Sequence, residues 1–171
     1  MDEDCDDRVT YVHTDFTQHQ WSESFDIVLC IGVLAHVESL TEALRSLADS
    51  VRPGGKCVIH ITDFDSLLGK IWHSYGYVRR TLPGAPVYAP NVMTSKQIVE
   101  MGARQGLKLE QQRRYSVLLP GMRYLPYKWM HWLQMRSLDN GALSRCGSDL
   151  FLIFTKEHTR CAAPTTARHV A

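Results

Sequence analysis

Cys57 and His60 stand three residues apart, a spacing that invites a metal reading. The run around them, Lys56 to Thr62, reads as a strand, and residues three apart in a strand point to opposite faces. One ion cannot be shared across a sheet, so no metal is expected. The five cysteines, Cys5, Cys30, Cys57, Cys146 and Cys161, contain no Cys-x-x-Cys pair, and Cys30 and Cys57 sit in apolar runs. That pattern predicts reduced thiols filling a core, and with them a reducing, cytoplasmic setting. His60 reads as structural. The side chains left for proton chemistry are His13, His36, Asp63, His131 and the tyrosines between 75 and 88.

These residues need elements to position them. Phe25 to Ile31 is almost wholly apolar and β-branched, which predicts a strand covered on both faces. Ser39-Leu40-Thr41-Glu42 has the capping-box form, and Leu40, Ala43, Leu44, Leu47, Ala48 and Val51 recur at helical spacing. Pro53-Gly54-Gly55 ends that helix, and Lys56 to Thr62 follows as a second buried strand. Strand, helix and strand in about forty residues is a βαβ unit with parallel strands.

Around that unit the pattern is less regular. Val9 to His13 is a short β-rich run ending at Asp15-Phe16, and 64 to 93 reads as a loop-rich insertion. Thr94 caps a helix to Gln105, Leu107 to Tyr115 is a strand, 124 to 138 an aromatic helix, and Leu150 to Thr155 a last strand. The reading is one domain over 1–157, with 158–171 as a disordered tail.

Composition agrees with an ordinary globular chain: 171 residues, 44% hydrophobic, 22% charged, with 19 Lys+Arg against 18 Asp+Glu. A net charge of +1 argues against a nucleic-acid partner held by bulk charge. No apolar run approaches the ~20 residues of a membrane span.

Phe25-Asp26-Ile27-Val28, then Val33-Leu34-Ala35-His36-Val37, then Val51-Arg52-Pro53-Gly54-Gly55 resemble the middle of a class I S-adenosylmethionine-dependent methyltransferase. The resemblance implies a Rossmann-like, mostly parallel α/β sheet with flanking helices, of which this chain holds strands three to seven. It implies S-adenosylmethionine as cofactor, with the Asp15 carboxylate on the adenine amino group and Phe16 against the ring. It also places Cys30-Ile31-Gly32 where backbone carbonyls face the methionine part. Asp15 alone would read as a loop aspartate starting a turn; its spacing before Phe25-Asp26 favours the cofactor reading. Asp26, at the other end of its strand, is read as an anchor.

The family's glycine-rich loop has no counterpart, since no two of the eleven glycines are separated by one residue. Only fourteen residues precede Asp15, where two βα units would take on the order of 60. The expectation is an N-terminally truncated methyltransferase domain, weak or inactive as this chain.

Methyl transfer rests mainly on holding nucleophile and methyl in line, with a base for some acceptors. Asp63, after the family's strand five, is the favoured base and His36 the second candidate. Aromatics in 64–93 and 116–140 suggest a small acceptor, aromatic or lipid-like. Arg113, Arg114, Arg123, Lys128 and Arg136 among Tyr124, Tyr127, Trp129 and Trp132 also fit a membrane surface, as the less favoured reading. For Trp129 and Leu133, packing on the sheet is preferred. The alternative function is a non-catalytic binding or regulatory protein that pairs with a complete homologue.

Overall fold

A sheet built from the expected apolar runs organises the chain. The computed structural model describes residues 8–22, 24–81, 91–115, 124–138 and 142–158. Its strands are β1 (Phe25–Ile31), β2 (Val51–Thr62), β3 (Leu107–Tyr115) and β4 (Asp149–Lys156). Its helices are α1 (Leu40–Ser50), α2 (Leu67–Arg80), α3 (Ser95–Arg104), α4 (Tyr127–Leu138) and α5 (Ala142–Cys146).

The sheet order is β1-β2-β4-β3. β1 pairs parallel with β2, while β4 lies antiparallel to both β2 and β3. The α/β, Rossmann-like class stands, with a mixed sheet in which β1, β2 and β3 share one direction. The 158–171 tail lies outside the described residues beyond His158.

Side-chain alternation decides which face is filled. Cys57, Ile59 and Ile61 of β2 and Leu150, Leu152 and Phe154 of β4 point to one face and are buried. Ala43, Leu44, Leu47 and Ala48 of α1 and Ile98 of α3 join them in a single cluster. Ser39 Oγ accepts from Glu42 N at 3.3 Å and Thr94 Oγ1 from Gln97 N at 3.2 Å, so both helices start at their caps.

The opposite face is less covered. Leu29 pairs with Val58 and Ile31 with His60, and Ile27, Leu29 and Ile31 are 57–63% exposed. β1 is therefore covered on one face, not on two as its unbroken apolar run predicts, and no described strand pairs with its outer edge.

Three further expectations differ from the structure. Val9 to His13 forms no strand; Val9, Tyr11 and Val12 are exposed. A strand exists only through ladder partners, and this run has none among the described residues. Second, Pro53-Gly54-Gly55 does not separate helix from strand. Helix α1 stops at Ser50, and β2 already pairs Val51 with Phe25 before a register shift. Gly54 has φ +76°, and a Cβ on Gly55 would lie 2.9 Å from the carbonyls of Arg52 and Asp26. The motif is a bulge, closed by the exposed Asp26–Arg52 ion pair at the start of β1.

Third, 67–80 is helix α2, where a loop was expected. Its aromatics hid the cap: Ser66 Oγ accepts from Gly69 N and donates to Asp63 O, each at 2.8 Å. A Cβ on Gly69 would sit 2.1 Å from Asp63 O, so only glycine lets α2 start against the end of β2. Gly69→Ala is expected to cost about 3 kcal/mol, the upper end for overpacking. An unchanged urea midpoint would show that this close approach does not exist in solution.

Candidate functional site

In open α/β sheets ligands meet the carboxyl ends of parallel strands, here Ile31 and Thr62. The chain leaves β1 through Gly32, whose φ of +71° favours glycine. A single 3-10 turn follows, Leu34–His36, anchored by the buried Leu34. Asn91 holds this turn from across the fold. Its Nδ2 donates to Leu34 O at 3.2 Å and Val37 O at 2.7 Å, and its backbone N to Ala35 O at 2.9 Å. His36 is exposed on the turn.

At the end of β2, Asp63 is fully buried and fully engaged. Its backbone N donates to Ser148 O at 2.7 Å. Oδ1 accepts from the amides of Asp65 at 3.2 Å and Ser95 at 3.1 Å. Oδ2 accepts from Arg114 Nη2 at 2.5 Å, and Arg114 Nη1 donates to Gly147 O at 3.1 Å. A general base needs hydrogen-bond reach to a substrate proton, and both oxygens here face inward partners.

Asp15 lies on the surface in a turn of its own making. Oδ1 accepts from Thr17 N at 3.0 Å and Thr17 Oγ1 at 2.8 Å. These bonds, the hydroxyl's first, hold its carboxyl below the usual carboxylate value. Phe16 turns inward, and its carbonyl accepts from Ser46 Oγ at 2.5 Å. It lines an apolar pocket of about 220 Å³ with Trp21, Phe25, Val28, Cys30 and Val33, along the free edge of β1 and over α1. Ile31 and Gly32 are exposed and do not line it. The structure thus brings Phe16 and Cys30 to one pocket, with Asp15 facing solvent beside it. His36 stands beyond the end of β1 and Asp63 at the end of β2.

Cys30 and Cys57 are buried free thiols. Burial pushes Cys30 up to about 11, against the pull of a Leu34 backbone hydrogen bond. Burial, then the neighbouring Cys30, pushes Cys57 up to about 12. His60 lies on the opposite face from Cys57, between Tyr115 and Phe151 at ring distances of 5.9 and 5.2 Å. The two cannot share an ion. Neither ring nitrogen of His60 has a hydrogen-bond partner among the described residues.

Sequence reasoning missed a polar group on the same face. Cross-strand register sets Thr62, Asp149 and Tyr115 side by side. Thr62 Oγ1 donates to Asp149 Oδ1 at 3.1 Å, and Tyr115 stacks on Phe151 at 5.1 Å. Burial first, and the Asp149 carboxylate second, raise the Tyr115 phenol above its ordinary value. Strand alternation was the available signal, once the register of β3 against β4 was known. Asn91 carried none, because its partners are 54 and 57 residues away.

The fold is Rossmann-like α/β, with its candidate site at the parallel strand ends. Residues 2–59 match the family model described as "Methyltransferase domain". A stretch of 52 residues is 38% identical to the mitochondrial ubiquinone biosynthesis O-methyltransferase of Schizosaccharomyces pombe, covering 30% of this chain and 19% of that protein. Among solved structures, a chain of the complex between the Haloferax volcanii Trm112 methyltransferase activator and a methyltransferase aligns with TM-score 0.59 and 14% identity, covering 89% of this chain and 63% of that one. Magnesium protoporphyrin IX methyltransferase from Synechocystis PCC 6803, with bound S-adenosylhomocysteine, aligns with TM-score 0.55 and 13% identity, covering 86% and 51%. The chain therefore spans about half to two thirds of these structural neighbours and a fifth of the curated relative. Among the described residues no helix is long and apolar enough to cross a membrane.

Two outcomes follow from these contacts. Arg114→Met leaves the Asp63 carboxylate buried without its cation and is expected to cost about 3 kcal/mol or more, while Asp63→Asn with Arg114→Met costs less than the two single changes summed. Additive losses in thermal melts would disprove the pairing. A thiol whose folded value is raised stays protonated while the unfolded one ionises. The stability contributed by Cys30 and Cys57 is thus complete below about pH 8.5 and lost as pH climbs above it. Denaturation at pH 8 and pH 10, with Cys57→Ala as the reference, reads this loss; a pH-independent difference would contradict it.

Proposed function

We propose that this chain serves S-adenosylmethionine-dependent methyl transfer to a small-molecule acceptor. One observation carries the reading: the methyltransferase-domain match ends at Ile59, within β2, so it spans β1 and α1 and most of the βαβ unit whose strands open at Gly32 and Asp63. The cofactor, when bound, supplies an electrophilic sulfonium methyl group.

The residues present fit part of that cofactor. The Phe16–Cys30 pocket offers an apolar wall to a flat ring, and Asp15 stands beside it as acceptor for an amino group. Carbonyls at Cys30, Ile31 and Gly32 lie at the strand end, where an aminoacid chain would be held. A Gly-x-Gly loop, which lets backbone amides approach closely, is not among the 171 residues. Of the two base candidates, exposed His36 is the one an acceptor can reach. Asp63 serves by fixing the end of β2 and the start of α3.

A second reading is favoured by the uncovered edge and face of β1: pairing with a complete homologue, with this chain as the non-catalytic member. Both readings keep the domain as one unit over 1–157.

Titration calorimetry of the 171-residue chain with S-adenosylmethionine is expected to show weak or no binding, and transfer of labelled methyl to a panel of small aromatic acceptors to be slow. His36→Ala should lower any transfer about 100-fold while leaving cofactor affinity unchanged. Tight, stoichiometric binding would overturn the weak-site reading; unchanged transfer by His36→Ala would remove its role as base.

A further inference from the structure

Helix α4 is where the sequence-based expectation failed most sharply. Trp129 was expected on the sheet, yet it is 64% exposed, and Trp132 is 52% exposed. Leu133 and Met130 are half-buried and make the helix's inward side. The outward side carries Lys128, Trp129, Trp132, Met135 and Arg136, all exposed, and Tyr124 and Leu125 stand exposed just before the helix.

We infer that this outward side of α4 docks on the surface of an anionic lipid bilayer. Three observations carry this. The charge is of one sign: residues 111–138 contain no Asp or Glu, and the cations on the face itself are Lys128 and Arg136. The apolar groups are of the interfacial type, for an indole is apolar in body and polar at its N–H. The two kinds are interleaved, with the Arg136 guanidinium 5.7 Å from the Trp132 ring and Lys128 beside both indoles around a shallow depression of about 410 Å³. A helix that presents cations and tryptophans together gains from lipid phosphates and from the acyl boundary at once. A protein groove would leave these two cations to be desolvated unless it supplied acids to match.

The geometry also narrows the basic cluster. Arg114 is turned inward to Asp63 and takes no part. Arg123 lies outside the described residues. Arg113 is exposed on β3 and is not among the residues around the indoles. β3 ends at the same end of the sheet as β2, and α4 packs on β3 and on α5, which leads into β4 at that end, so the helix belongs to the ligand-facing end of the sheet. The inference does not depend on methyl transfer.

The test is sedimentation of the full chain with phosphatidylcholine vesicles, with or without about a quarter phosphatidylglycerol. Binding is expected only with the anionic lipid, weakened about ten-fold or more by Lys128→Glu with Arg136→Glu, and lost in about 0.5 M salt. Bromine-labelled acyl chains should quench tryptophan emission in the unaltered chain, and the quenching should disappear in Trp129→Ser with Trp132→Ser. Because these side chains are exposed, melting temperatures should stay within about 2 °C of the parent. The inference fails if anionic vesicles leave the protein in solution, if neutral vesicles bind it equally, or if both variants bind unchanged. It also fails if the same substitutions abolish a lipid-free dimer, which would make a second copy the occupant.

Discussion

The buried Asp63–Arg114 pair is the contact on which the rest of this arrangement depends. It closes the end of β2 against the end of β3, while the remaining hydrogen bonds of the two side chains reach Asp65 ahead of α2, the start of α3 and the loop before β4. An ion pair of this kind does little for stability against an apolar replacement, because both charges lose water. Its value is geometric. A carboxylate with three inward donors has one low-energy orientation, and the three segments that supply those donors inherit it. α2 is part of the same construction, since its cap Ser66 hydrogen-bonds Asp63 O and Gly69 packs beneath it.

The sheet around this centre is asymmetric. One face carries α1 and α3 and holds the single cluster of buried side chains. The other is covered around His60 by Phe151 and Tyr115, and increasingly open toward β1. A parallel strand with one open edge and apolar side chains on one open face departs from the usual rule, in which both faces of such strands are covered. The apolar pocket filled partly by Phe16 and Trp21 lies along that same edge. The turn after Asp15 thus packs where the sheet offers most uncovered surface, which explains why Phe16 is drawn in and Asp15 left outside.

How much of this was readable from sequence follows the range of the forces involved. β1, α1, α3 and β3 were legible almost to the residue, because caps and periodicity are local. Val9 to His13 failed because β-propensity is a promise of pairing that only a neighbour can keep. The Pro-Gly-Gly bulge failed through the meaning given to glycine, since Gly55 is there for close backbone approach, which a spacing argument reads as a break, while α2 was hidden by the aromatic and proline residues of 64–93. Asp63 was singled out from its place after β2, but its contacts were invisible, since Arg114 lies 51 positions away. Asn91 and the Thr62–Asp149–Tyr115 group depend on register between distant strands, and nothing local marks them.

The two parallel strand ends are built in opposite ways, and the contrast bears on chemistry. Asp63 closes β2 with a side chain that is wholly committed. β1 opens through Gly32 into a turn held mainly by its own backbone carbonyls, through Asn91, so that Cys30 to Gly32 offer main chain rather than reactive side chains. Cys30 itself is kept protonated by burial. Among the described residues of these strand ends only the exposed His36 is placed for proton chemistry, and the rest suits holding two reactants in line, where rate comes from position. The same preference for placement over side-chain reactivity is what an in-line transfer asks of a scaffold. On the proposed reading, acceptor choice would fall to the segments beyond β2 and β3, where the exposed aromatic side chains of α2 and α4 are found.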